Sequence, residues 1–229
     1  MKGAFTLVLE GATYEGSVAL LRGSDVVAER TLRAEDGGIP IAGRGERLMP
    51  AVAECMTESG VERADIARIV CGAGPGSFTS LRVAGSVAKG LAAGLGIDVY
   101  AVSSLLLTVS GLKPAPDAGE YLSVLDAMRG EWYAAGVTVS ADGGIAQSEA
   151  ARIVTAGELE RLGSREAGPR VIGPGQQIDA RPHARGAAPL LEALLDAGPV
   201  DLAGWEPDYG RLAEAQVRWE AQHGRPLVQ

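Results

Sequence analysis

The sequence is short of histidine and cysteine, with two of each in 229 residues. Cys55 and Cys71 have no second pair beside them, which excludes a disulfide framework and reads as thiols packed in a core. His183 and His223 stand far apart in segments flanked by glycine and proline, so no zinc or iron site built on histidine and cysteine is expected. Aromatic residues make up 4%, too few for platforms that stack single-stranded bases. A basic excess is also missing. The 21 Lys and Arg against 29 Asp and Glu leave a net charge of −8, the wrong sign for a surface that grips phosphates broadly. No run of about 18 uncharged apolar residues occurs, so no membrane span is expected. Only Lys2 is basic before the first apolar run, which is not a signal-peptide pattern, and the cytoplasm is the expected location.

What is present suits a folded protein: 46% hydrophobic and 22% charged residues, in a length that allows one large domain or two small ones. The 32 glycines are not periodic and announce tight turns or close backbone approaches. Residues 4–9, 17–21 and 26–32 read as three strands, with a hairpin turn at 23–25. From Gly45 apolar residues recur at steps of three and four (Leu48, Met49, Val52, Cys55, Met56), predicting a helix that stops at Gly60. A strand at 67–71 then runs into Gly72, Gly74 and Gly76. A second helix, marked by Leu81, Ala84, Val87, Ala88, Leu91 and Leu95, ends near Gly96.

The same order of elements recurs in the second half. Strands are expected at 98–102, 122–126, 132–139, 145–153 and 170–172, and helices from Ser103, at 156–162, at 189–195 and at 207–222. In the last of these Leu212, Ala215 and Trp219 form one stripe. The expected architecture is α/β with two similar lobes, residues 1–105 and 106–229, packed across a cleft.

Several groups carry possible chemistry. The segment 74–82, GPGSFTSLR, leaves a strand and opens a helix, where Ser77, Phe78 and Thr79 stand at the helix start with free backbone N–H groups. It reads either as a phosphate-binding turn or as a structural one. The dinucleotide fingerprint fails at Ser77, and no Gly-Lys-Ser/Thr triplet completes a P-loop. Glu10 ends the first strand, either as a ligand for a hydrated magnesium ion or as a solvated terminus. Asp126, Arg129 and Glu131 stand between two strands of the second lobe, as a ligand-facing cluster or a turn held by mutual pairing. No nucleophile–histidine arrangement or GxSxG elbow is found. The second helix also carries Gly85, Gly90, Gly94, Ala88, Ala92 and Ala93, small residues that let another helix approach closely although each interior glycine costs about 1 kcal/mol relative to alanine.

At GPGSFTSLR and the following VAGSVAKGLAAGLGIDVYAVSSL the chain resembles the bacterial threonylcarbamoyladenosine-biosynthesis family called TsaB, formerly YeaZ. The likeness continues in GERLMPAVAECMTESG, LDAMRGEWYAA and EPDYGR. It covers most of residues 4–140 and is patchy after that, the chain diverging from about residue 155. The resemblance implies the two-lobed fold shared by actin, sugar kinases and heat-shock ATPases. It also implies a non-catalytic subunit, without cofactor of its own, that pairs with a metal- and nucleotide-binding paralogue (TsaD). That paralogue transfers threonylcarbamoyl to the adenosine beside the tRNA anticodon and supplies most of the tRNA contact. A separate ATPase subunit (TsaE) and pairing of the chain with itself are further expectations. The family's contact helices correspond here to Leu48, Met49, Val52 and Met56, and to Leu81, Arg82, Ala84, Gly85 and Ala88. Two departures stand out. Glu10, Gly11 and Ala12 replace the usual Asp-Thr-Ser, and Arg44, Gly45 and Glu46 replace His-Ser-Glu. The rival expectation is a small-molecule kinase or ATPase of the same fold, using Glu10 and the turn at Ser77 to Thr79. A peptidase has little support without a histidine pair at ligand spacing.

Overall fold

The computed structural model describes residues 4–32, 47–164, 168–211 and 222–224. Two mixed sheets form two lobes, as expected. In the first, β1 (Phe5–Glu10), β2 (Ser17–Arg22), β3 (Asp25–Thr31), β4 (Ile66–Gly72) and β5 (Asp98–Val102) lie in the order β3-β2-β1-β4-β5. The β1–β2 and β2–β3 pairs are antiparallel, while β4 runs parallel to β1 and β5. Alternation in β1 sends Phe5, Leu7 and Leu9 to one face and Val8 to the other, and both faces are covered. The outer face is covered by α1 (Leu48–Ser59), over β2 and β3, and α2 (Phe78–Leu95), over β4. Fully burying side chains such as Leu7, Leu9 and Ile69 contributes about 1.5–3 kcal/mol each.

The second sheet is β11 (Ile178–Asp179), β10 (Arg170–Gly173), β6 (Gly119–Asp126), β7 (Glu131–Val139) and β8 (Ile145–Gln147) in that order, with β9 (Arg152–Thr155) also on β7. The single strand expected at 145–153 is therefore two. Between them Ser148 and Glu149 both donate their N–H to the Gly136 carbonyl, and the ladder resumes at Arg152 opposite Ala134. A short helix, α4 (Ala156–Gly163), packs on β9.

Between the sheets runs α3 (Ser104–Ser110), whose Leu107 joins the core under Val8 and Val70 while Val109 packs with Tyr121 and Val137 of the second sheet. The 3₁₀ turn Ala184–Leu190 and α5 (Leu191–Ala197) complete the inner face of the first sheet, tied by the Ala184 N–H to the Ser17 hydroxyl at 2.9 Å. Residues 198–211 then cross the first lobe as a strap. The Val200 N–H donates to the Val99 carbonyl, and Leu202 and Trp205 pack against the outer core. Of the last expected helix, 207–211 is non-helical, because its backbone pairs with the turn after β4, while Gln222 at its far end is helical. Leu212, Ala215 and Trp219, like Arg44, Gly45 and Glu46, lie outside the described residues. Among the described residues no helix is long and apolar enough to cross a membrane.

Candidate functional site

The strands β1 and β4 end side by side at the cleft between the lobes, and Glu10 is the last residue of β1. Its side chain is 1% exposed. One carboxyl oxygen accepts the Ala12 N–H at 2.5 Å and the other accepts the Ser104 hydroxyl at 3.0 Å. The Ser104 Oγ in turn accepts the Gly74 N–H at 3.1 Å, so one side chain joins β1, the turn after β4 and the start of α3. Gly72 is required here, since a Cβ at that position would lie 1.9 Å from Glu10 Oε2. Burial lifts the Glu10 pKa to about 7 against the opposing pull of its hydrogen bonds. Glu10 is therefore not a solvated terminus: both of its carboxyl oxygens accept hydrogen bonds inside the chain.

The turn at 73–77 is equally engaged. The Ser77 N–H donates to the Ala12 carbonyl at 2.7 Å, and a Cβ on Gly76 would strike the same carbonyl. Ser77 makes no capping bond; its hydroxyl pairs with that of Ser80 at 3.1 Å. Thr79 is exposed, and the Phe78 ring meets Tyr209 at 4.6 Å and the Arg82 guanidinium at 4.8 Å. The donors that would cradle a phosphate at Ser77 and Ala12 are bonded within the chain.

The strap closes the cleft from above. The Asp208 N–H donates to the Ala73 carbonyl at 2.7 Å, the Tyr133 hydroxyl donates to the Tyr209 carbonyl at 3.0 Å, and Arg211 forms an ion pair with Glu131. Ala12, Leu81, Leu105, Leu125, Ala127 and Tyr133 fill the space between the lobes with apolar atoms. Asp126 accepts the Met128 N–H at 2.7 Å, Glu131 turns to Arg211, and Arg129 stands exposed at the tip. Among the described residues no group of three or more His, Cys, Asp or Glu is placed to hold a metal ion.

The contact helices need a correction. Leu48, Val52, Leu81, Ala84, Gly85 and Ala88 are buried by the chain itself. Their apolar and small side chains pack down on the sheet, and Gly85 is covered by Pro207, 3.1 Å from where its Cβ would be. The two helices leave other residues open. Met49 and Ala53 are exposed and Met56 is half-buried on α1. On α2, Val83 and Val87 are half-buried and Gly90 and Gly94 exposed. Helical spacing puts Val83, Val87, Gly90 and Gly94 on the flank towards α1, where Val83 shares a small cleft with Leu48. That cleft, with about 20 Å³ of space, has room for one water. Phe78, Arg82, Ser86 and Lys89 fall on the opposite flank, beside the strap. Ser104, Tyr133 and the strap were missed by sequence reasoning, although EPDYGR had marked the strap as a motif.

These features define a two-lobed α/β protein whose cleft is filled by its own side chains. Residues 24–170 match the family model described as TsaD: tRNA N6-adenosine threonylcarbamoyltransferase. The chain is 33% identical over 127 residues to the tRNA threonylcarbamoyladenosine biosynthesis protein TsaB of Escherichia coli, spanning 56% of this chain and 52% of that one. To the protein of the same name in Bacillus subtilis it is 28% identical, over 93% of this chain and 96% of the relative. The chain thus spans about half the length of the first of these relatives and nearly all of the second. The structure of YeaZ from Pseudomonas aeruginosa superposes with a TM-score of 0.73 at 23% identity, covering 90% of this chain and 99% of that one, which establishes the fold. The chain belongs to the threonylcarbamoyltransferase family that the model describes, and within it to the TsaB (YeaZ) group.

Proposed function

We propose that the chain acts in threonylcarbamoyladenosine formation on tRNA as a non-catalytic subunit, in the cytoplasm. Its task is to hold the catalytic paralogue in an active arrangement through the ridge formed by α1 and α2. The nucleotide and metal belong to that paralogue and to a separate ATPase subunit, and most of the tRNA contact is the paralogue's.

The observation that carries this reading is the pair Gly90 and Gly94. Each interior glycine weakens a helix by about 1 kcal/mol relative to alanine, yet a Cβ at either position would meet nothing within 4 Å. Nothing described inside the chain requires them to be glycine. A helix from another protein lying against α2 would, because a Cβ there would push it away and thin the dispersion contact along the seam. The filled cleft supports the same reading, since Glu10, Ala12 and Ser77 already satisfy one another where phosphate would bind.

Gly90→Arg tests it. The isolated chain should fold as well as before, with equal or higher thermal stability, while light scattering should show the complex with the paralogue lost. A Gly90→Arg chain that still pairs would place the contact elsewhere. Replacing Ala88 would not be informative, because Ala88 is fully buried in the core.

A further inference from the structure

The chain passes from the first lobe to the second at residues 111–118, between α3 and β6, and returns at 180–183, between β11 and the 3₁₀ turn. Both crossings are pinned to β3. Glu29 accepts from Lys113 Nζ at 2.7 Å and from the Arg185 guanidinium at 2.9 Å, and Arg185 Nε donates to the Gly111 carbonyl at 2.8 Å. His183 Nε2 lies 3.0 Å from the Thr31 hydroxyl. These bonds hold the crossings at one edge of the first sheet.

The end of the strap makes a third link, on the other side of the cleft. It reaches the first lobe just after β4, three strands from β3, which is about 14 Å at the usual strand spacing. Pro207 is buried over Gly85, and the Asp208 N–H donates to the Ala73 carbonyl. One residue on, the second lobe takes over: the Tyr133 hydroxyl holds the Tyr209 carbonyl, and Glu131 holds Arg211. The seat is cut closely. A Cβ on Gly74 would strike the Asp208 carbonyl, and one on Gly210 would strike the Tyr133 ring and Pro75. The attachment to the second lobe is slight, because it consists of one neutral hydrogen bond and one partly exposed ion pair. Each contributes little net free energy. Asp208 and Gly210 are exposed, and the Tyr209 ring rests on Phe78 of the first lobe. Tyr133 also belongs to the apolar cluster between the lobes, so loosening the strap there loosens that cluster with it.

We propose that residues 208–211 are a releasable clasp. They leave the second lobe as a unit at Tyr133 and Glu131 and stay with the first lobe at Pro207. The second lobe then turns about the crossings pinned at Glu29. The clasp is a property of the chain alone, so it stands or falls independently of any paralogue.

The test is the distance between spin labels on Ala93→Cys of α2 and Glu160→Cys of α4, both exposed positions, measured by pulsed electron paramagnetic resonance. Cys55 and Cys71 are fully buried, so the labels attach to the introduced thiols. In this background Tyr133→Phe should raise a second distance population about fivefold, the ratio that one lost hydrogen bond produces. Glu131→Gln/Tyr133→Phe should raise it further. Val154→Ala, which hollows the second lobe's own core, should leave the distribution as in the parent chain. Circular dichroism checks that each chain is folded, and if the double variant is not, Tyr133→Phe alone decides. An unchanged distribution in Tyr133→Phe overturns the proposal. So does a second population of the same size in Val154→Ala, which would make the opening a general loosening of the lobe.

Discussion

The Glu10 carboxyl and the Ser104 hydroxyl meet at 3.0 Å across the junction of the two lobes, where the first strand ends and the bridging helix begins. A carboxyl group in that position is out of water, and its protonation state is tied to the integrity of the fold. The ordinary value of 4.5 is raised to about 7, so the folded chain holds a proton that the unfolded chain has released. Stability linked to Glu10 is therefore complete below about pH 4.5 and declines as pH rises through 7. The loss is on the order of 3 kcal/mol by pH 8 to 9, at 1.36 kcal/mol per unit. Glu10→Gln should be about as stable as wild type in urea unfolding at pH 5 and more stable at pH 8. A variant less stable than wild type at pH 8 would mean that the ionised carboxylate is well solvated by its donors.

His183 has the opposite dependence. Its Nδ1 accepts the Arg185 N–H at 3.1 Å and its Nε2 lies 3.0 Å from the Thr31 hydroxyl, joining the 3₁₀ turn to β3. Burial, then the Arg185 charge, depress its pKa to about 4. The neutral ring is the folded form, so its contribution is present above pH 6.5 and is lost as pH falls through 4. In an NMR titration the His183 ring signals should stay constant from pH 8 down to 5. A midpoint near 6.5 would place the imidazole in water.

Gly72 and Glu10 are coupled sterically. Gly72→Ala should destabilise the chain by about 1–3 kcal/mol, because the new methyl must displace the carboxyl group. In the Glu10→Ala background the same substitution should cost much less. A double-mutant cycle in chemical denaturation reads this directly, and additivity within about 0.5 kcal/mol would contradict the contact.

Tyr133→Phe removes the hydroxyl that holds the Tyr209 carbonyl. Global stability should fall by about 1 kcal/mol. Amide exchange should quicken in residues 205–211 before it does in β1 or β4, since the strap has its own local opening. Unchanged protection in the strap would show that Asp208 and Arg211 hold it without Tyr133.

Much of the fold was legible in the sequence because its signals are local. The short apolar run of residues 4–9, the turn glycine after Arg22 and the three-and-four spacing from Leu48 to Met56 each depend on a few neighbouring residues. The glycines of 72–76 announced a close approach, but what approached them was hidden. Gly72 faces Glu10 from 62 positions away, and Gly74 faces Asp208 from more than twice that distance. No periodicity links such pairs. The small residues of α2 were likewise visible as a stripe, but the side each would face depended on the strap. Pro207 covers Gly85 while Gly90, five residues on, is bare. Sequence spacing showed that a seam existed and could not divide it into an inner part and an outer part.

The most direct test of the adaptor reading is the yield of threonylcarbamoyladenosine on tRNA from the purified paralogue and ATPase subunit, as this chain is added from none to a molar excess. Product should be negligible without it, rise to saturation near one chain per paralogue, and stay low with Gly90→Arg at the same concentration. Full turnover in its absence, or a Gly90→Arg chain that stimulates as well as wild type, would contradict it.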